Sequence, residues 1–194
     1  MIRLLLVLLV FSPLLTSAGE EKHVADLYAR GLAGDKQAVI DCIAALEARL
    51  TLEPNDQLAR VYLGSAWTLR SRDLPIGPGK LSALRKGVAL MDEAAAAAPD
   101  DARILLLRAV TNGNLPGFLG RKKLARAQLN ELVAMVEGNT KKLSPPDCQL
   151  LYLNAGEAAR QAGDKRRARE LWQRGLTIGA DPKLSAEIQQ ALAK

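Results

Sequence analysis

The chain has 194 residues, with 27 Lys+Arg against 21 Asp+Glu, a formal net charge of +6, 48% hydrophobic and 4% aromatic residues. That is a globular composition at the scale of one domain or a compact repeat array, which excludes a disordered chain and a large multidomain enzyme. One histidine, His23, and two cysteines, Cys42 and Cys148, leave too little material for a zinc cluster, a Cys/His dyad with a spare base or a dense disulfide scaffold.

Residues 1–18 read MIRLLLVLLVFSPLLTSA: one basic residue, Arg3, an apolar stretch from Leu4 to Leu15, a break at Ser12-Pro13, then small residues. This is the layout of a secretory signal peptide, with cleavage expected after Ala18 and residues 19–194 as the exported domain. The apolar stretch is short of the roughly 20 residues that a spanning helix needs, and no cysteine follows to carry a lipid. Loss of Arg3 leaves 26 Lys+Arg against 21 Asp+Glu, so the exported protein stays basic. A periplasmic or extracellular location follows as an expectation.

Beyond the leader the chain repeats itself. Glu53-Pro54-Asn55-Asp56-Gln57-Leu58-Ala59-Arg60 returns as Ala98-Pro99-Asp100-Asp101-Ala102-Arg103-Ile104, and more faintly as Pro145-Pro146-Asp147-Cys148-Gln149-Leu150, with prolines 45 and 46 positions apart. Each proline reads as a helix stop, and the Asp or Asn after it as the N-cap of the next helix. Between them Leu and Ala recur at spacings of three and four, and no stretch alternates for long, which predicts helix, turn, helix. The units are about 22–53, 54–98, 99–144 and 145–180, followed by a capping helix over 182–193 opened by Asp181-Pro182.

The last unit carries Tyr152, Gly156, Gly163-Asp164, Ala168, Trp172, Gly175 and Leu176. In this pattern the chain resembles the tetratricopeptide repeat family, which places an aromatic and a small residue on its first helix, Gly-Asp at the turn, and a small residue, an aromatic and another small residue on its second. Unit two repeats the theme with Leu63-Gly64, Trp67, Gly87, Met91, Ala94 and Pro99. Unit one keeps Gly34-Asp35, Ala38, Cys42 and Ala45, and unit three keeps Ala109, Ala125, Leu129 and Leu132. The resemblance implies an all-α, right-handed helix-turn-helix solenoid of about four repeats with a C-terminal cap, whose concave groove, lined by first helices, holds a segment of another protein. Carried over position by position, that groove comprises Leu58, Val61, Ser65, Thr68, Arg103, Leu106, Val110, Leu150, Leu153, Glu157 and Arg160. Arg103 and Arg160 are the expected partner-gripping residues, because a guanidinium holds a carboxylate bidentately.

Two features stand outside the repeat. Ser71–Gly79 and Gly113–Gly120 lengthen the turn at the same place in adjacent units, and both contain Leu-Pro followed by glycine and an apolar residue. Such inserts project from one face, often the binding face; alternatively Ile76, Phe118 and Leu119 pack beneath their own loops. Cations also open the second helices: Lys36, Lys80, Arg121-Lys122-Lys123 and Lys165-Arg166-Arg167. Helix N-termini disfavour cations, so Lys80, Arg121, Lys122, Lys123, Lys165, Arg166 and Arg167 form a candidate edge for anionic ligands or an anionic envelope surface, against the plain alternative of solvated charge.

No catalytic constellation emerges. His23 lies near the expected new N-terminus, Asp92-Glu93 and Asp100-Asp101 flank helix ends, and Gly77-Pro78-Gly79-Lys80 lacks the spacing of a phosphate loop. Cys42 and Cys148 fall in units too far apart in an open array to pair, which predicts two separately buried thiols. The expectation is a non-enzymatic protein-binding module or adaptor with no cofactor, no metal and no nucleic-acid partner. The alternative is a binder of anionic ligands or membrane surface through the basic edge and insert loops.

Overall fold

A computed structural model describes residues 17–138 and 143–193. Most of the expected leader, residues 1–16, lies outside the described residues. The helices are α1 Ser17–Leu32, α2 Lys36–Leu52, α3 Gln57–Asp73, α4 Pro78–Ala97, α5 Ala102–Asn114, α6 Arg121–Glu137, α7 Pro145–Gln161, α8 Lys165–Ile178 and α9 Pro182–Leu192, with one 3-10 turn at Gly117–Leu119. Among the described residues there is no strand, so the fold is all-α. Ser17 and Ala18 already belong to α1, which places the expected cleavage junction in its first turn.

Aspartates start the helices as their spacing predicts. Asp35 accepts from the Ala38 N–H at 3.0 Å, Asp56 from Ala59 at 2.8 Å and Asp164 from Arg167 at 2.9 Å. Asp101 and Asp181 each accept from two amides of the first turn. Each carboxylate satisfies donors that have no intrahelical partner and faces the positive end of the helix dipole. The third proline signal departs from the expectation: Pro145 is the first residue of α7, where its missing N–H costs nothing, and Ser144 is the cap. In the Gly34-Asp35 and Gly163-Asp164 turns the glycines have φ of 107° and 88°, which turns the chain back so that the next residue can cap.

Successive helices pair α1 with α2, α3 with α4, α5 with α6 and α7 with α8. The odd-numbered helices also touch in series, α1 on α3, α3 on α5 and α5 on α7, while α9 packs on α7 and α8. The tightest crossing is α3 on α4. A Cβ on Gly64 would lie 2.6 Å from the Gly87 carbonyl oxygen, and one on Gly87 would lie 2.5 Å from that of Gly64. Gly156 similarly makes room for the Trp172 ring, whose Nε1 donates to the Leu153 carbonyl at 3.1 Å. Small residues at these points let two backbones or a backbone and an indole approach, as the sequence pattern implied.

The buried apolar residues form three adjoining clusters. Val24, Leu27, Val39, Ile43, Leu46 and Leu63 fill the first. Val61, Met91 and Ile104 fill the second, and Leu106, Leu129, Leu132, Leu151, Trp172 and Ile188 the third. Full burial of each such side chain is worth about 1.5–3 kcal/mol. Cys42 is buried in the first cluster and Cys148 is only half-buried; both are free thiols. The expectation of two buried thiols therefore holds for Cys42 alone, because Cys148 sits in the first turn of α7, beside the Leu143 carbonyl.

Candidate functional site

The lengthened turns are shorter as loops than the sequence suggests. Ser71–Asp73 complete α3 and Pro78–Gly79 begin α4, leaving Leu74–Gly77; Gly113–Asn114 complete α5, leaving Leu115–Gly120. Both loops face one cavity of about 880 Å³, within the range of roughly 300–1,000 Å³ typical of small-molecule sites. All four first helices reach it: Tyr28 and Leu32 from α1, Ser65 to Arg72 from α3, Leu107 to Asn114 from α5 and Leu150 from α7, with Lys80, Leu81 and Leu84 from α4. Ile76 and Phe118 line it from the two loops and are 97% and 77% exposed. Their apolar side chains are not packed beneath their own loops, so the bland alternative for Ile76 and Phe118 fails. Leu119 is half-buried.

Half of the residues lining the cavity are Leu, Val, Ile or Phe, and its hydroxyl-bearing members bond within the protein. The Tyr28 hydroxyl lies 2.7 Å from Ser65 Oγ, and Ser65 Oγ lies 2.9 Å from Thr111 Oγ1, so three hydroxyls from α1, α3 and α5 form one chain. Thr68 and Ser71 donate instead to carbonyls one turn back, Ser65 O and Thr68 O, both at 2.7 Å. Buried polar groups are tolerated beside apolar surface only when bonded in this way. Burial pushes the Tyr28 phenol up to about 12, which outweighs the opposing effect of its bond to Ser65, so it stays a neutral donor near neutral pH. Its ring also meets Tyr62 edge-on at 5.2 Å.

Among the described residues two cations, Arg72 and Lys80, stand on the wall and no carboxylate does. Arg72 donates to the Gly31 carbonyl at 3.0 Å and pairs with Asp73 at 3.0 Å. Lys80 Nζ donates to the Arg72 and Leu74 carbonyls, each at 3.3 Å. Arg72 stands in the last turn of α3, and Lys80, from the first turn of α4, extends its ammonium to the C-terminal carbonyls of α3, where the dipole attracts cations. Asp73 offsets the charge of Arg72, whereas the partners of Lys80 are neutral carbonyl oxygens.

The residues expected to form one groove separate. Ser65, Thr68, Val110 and Leu150 line the large cavity. Leu58 and Arg103 instead line a cleft of about 100 Å³ with Tyr62, and Glu157 lines a third depression of about 290 Å³. Val61 and Leu106 are wholly buried and have no surface to offer a partner, because the odd-numbered helices pack on one another and on the second helices through them. Leu153 is half-buried. The two expected gripping arginines are engaged: Arg103 reaches the Tyr62 hydroxyl at 3.3 Å and Asp147 at 3.8 Å, and Arg160 is held bidentately by Glu157, at 2.5 and 2.9 Å.

The expected basic edge also divides. Arg121 turns inward, binding both oxygens of Asp92 at 2.5 and 2.6 Å, while Arg108 reaches the same carboxylate at 2.8 Å; an anion-binding role for Arg121 is thereby corrected to a structural one. Lys80 belongs to the large cavity, and Lys122 and Lys123 to the third depression beside Arg126. Lys165, Arg166 and Arg167 stand at the start of α8, where Arg167 pairs with Glu170 at 3.5 Å and Arg166 approaches it at 4.0 Å. His23 is exposed. Among the described residues no three His, Cys, Asp or Glu side chains gather at metal-binding spacing, and no helix is long and apolar enough to cross a membrane.

Tyr28, Leu84, Leu107 and Thr111 are cavity residues that sequence reasoning missed, while Arg72 falls within the first insert. A signal existed for one pair: Ser65 and Thr111 are 46 positions apart, close to the spacing of the repeat prolines. No family model matches the chain, and no curated protein matches it in sequence.

Proposed function

We propose that this protein is an exported, non-enzymatic adaptor of tetratricopeptide-like build, a right-handed solenoid of four helix pairs closed by α9. The pairing of consecutive helices and the serial contact of α1, α3, α5 and α7 support that reading. Its binding site is the large cavity on the inner row of helices, and a protein partner docks across the rim. The observation that carries this is the convergence of Ile76 and Phe118, from two different repeats, on one cavity mouth where both are exposed. Isolated exposed apolar residues are ordinary, but two large ones flanking a concave apolar site mark a binding surface.

The test is recovery of partners from envelope extract by the parent and by an Ile76→Asp/Phe118→Asp variant, followed by titration of each purified partner. A partner bound by the parent and lost by the variant supports docking at the rim. Equal recovery by both proteins rejects it.

A second reading, peripheral contact with an anionic surface, is favoured by Lys122, Lys123 and Lys165, which are exposed and for which no carboxylate partner occurs among the described residues. Binding to phosphatidylglycerol vesicles that disappears in a Lys122→Glu/Lys123→Glu variant would support it.

A further inference from the structure

The chemistry of the cavity wall specifies more than an apolar occupant. We infer that the cavity holds a free single-chain amphiphile with an anionic head, a long-chain carboxylate, with the head at Lys80 and the alkyl chain along Leu69, Leu84, Leu107 and Val110. The inference rests on reading the cavity as the binding site, and it names the cargo that lies beneath a docked partner.

Three observations converge on this ligand. The first is charge: among the described residues the wall contains two cations and no carboxylate, and the ammonium of Lys80 is held by two carbonyl oxygens. A cation beside apolar surface is stabilised by an anion that comes out of water with it, since a carboxylate adds a charge-assisted bond. The second is volume. A sixteen-carbon chain, at roughly the 30 Å³ that each water-sized group takes in a liquid, needs about 500 Å³, which the cavity of about 880 Å³ accommodates. An α-helix with its side chains is about 10–12 Å across, so two turns occupy about 850–1,200 Å³, which fills or exceeds the cavity, whereas the alkyl chain leaves room. The third is the state of the polar wall. Thr68 and Ser71 have spent their hydrogens on backbone carbonyls, and Tyr28, Ser65 and Thr111 bond one another, so an alkyl chain can lie against them without stripping a hydroxyl of its partner.

The experiment compares palmitate with hexadecanol, which has the same chain and an uncharged head, by calorimetric titration of the purified protein. Palmitate should bind at least about tenfold more tightly, a difference of about 1.4 kcal/mol. A Lys80→Gln variant should lose that preference and Lys80→Arg should retain it. Val110→Trp, which fills the cavity, should abolish binding of both ligands while the helical circular dichroism is unchanged. Equal affinity for the two ligands would overturn the anionic head. Failure of both to bind, or binding of phosphatidylglycerol vesicles without binding of monomeric palmitate, would overturn the cargo altogether. Those failures leave the adaptor reading standing as long as partner recovery still depends on Ile76 and Phe118, and loss of that dependence with palmitate bound would reject the rim alone.

Discussion

Gly87→Ala adds one methyl group to a helix interior, which on propensity alone should stabilise α4 by about 1 kcal/mol. The structure predicts the reverse. The new Cβ would stand 2.5 Å from the Gly64 carbonyl oxygen, 2.8 Å from Thr68 Cγ2 and 3.0 Å from the Thr68 nitrogen. Two of these three atoms are backbone and cannot rotate away, so α3 and α4 must separate. Overpacking of a close-fitted interior costs about 1–3 kcal/mol and sometimes more. Against rigid backbone the upper part of that range applies, and after the propensity gain about 1–2 kcal/mol of destabilisation remains. For a chain of this size each kcal/mol moves the melting temperature by roughly 2–4 °C, so the expected fall is about 2–8 °C. Gly79→Ala is the internal control: it lies in the first turn of the same helix and a Cβ there meets nothing within 4 Å. That variant should gain about 0.4–1 kcal/mol from the reduced freedom of the unfolded chain. The assay is thermal unfolding followed by circular dichroism, with palmitate titration as a second readout because Thr68 lies on the cavity wall. If Gly87→Ala melts with or above Gly79→Ala, the close crossing does not limit the packing of this helix pair.

Other outcomes follow from the same contacts. Asp101→Ala should destabilise by about 1 kcal/mol through loss of the cap bonds to the Arg103 and Ile104 amides, read as a lower urea midpoint with an unchanged slope. Asp92→Ala leaves Arg108 and Arg121 facing each other without their shared carboxylate. A loss of about 1.5–3 kcal/mol is expected, again from urea unfolding, and Asp92→Glu should recover part of it. The Tyr28 phenol has a folded value of about 12 against an ordinary 10.0. Its contribution is therefore complete below the ordinary value and is lost as pH rises through the folded one. Urea midpoints measured across that window should fall more steeply for the parent than for Tyr28→Phe; parallel curves would show that the phenol is not buried as described. Burial also raises the Cys42 thiol to about 11, so a thiol reagent at mildly alkaline pH should label half-buried Cys148 first, and Cys42 only on unfolding.

How far the sequence could be read depended on the range of the forces involved. Asp35, Asp56, Asp101, Asp164 and Asp181 act on amides two or three positions away, and their capping roles were legible from spacing alone. The small residues at Gly64, Gly87 and Gly156 were also legible, because a glycine inside an apolar helix has little other use than close approach. The cavity was not, since it depends on Tyr28, Ser65, Thr111 and Leu150, which come from four helices and share no local pattern. The inserts misled in one respect: Leu-Pro and glycine read as long loops, but nothing in Ser71-Arg72-Asp73 stops a helix, and Pro78 suits a helix start. Val61 and Leu106 were placed by analogy with inward-facing positions, and that analogy takes no account of how tightly α3 and α5 pack. Reading Arg103 and Arg160 as free to grip a partner takes no account of Asp147 and Glu157, acids of α7 that pair with them at the surface.

The hydroxyl chain has a mechanical meaning. Helix pairs joined mainly to their neighbours can flex at each junction, with apolar side chains sliding past one another at little cost for small displacements. The bonds from Tyr28 to Ser65 and from Ser65 to Thr111 cross two successive junctions, α1 to α3 and α3 to α5, and they weaken steeply once stretched or tilted. They tie α1, α3 and α5 together at a fixed resting spacing. A force that draws these helices apart must stretch both bonds. Because Tyr28, Ser65 and Thr111 all line the cavity, the spacing of α1, α3 and α5 and the width of the cavity change together.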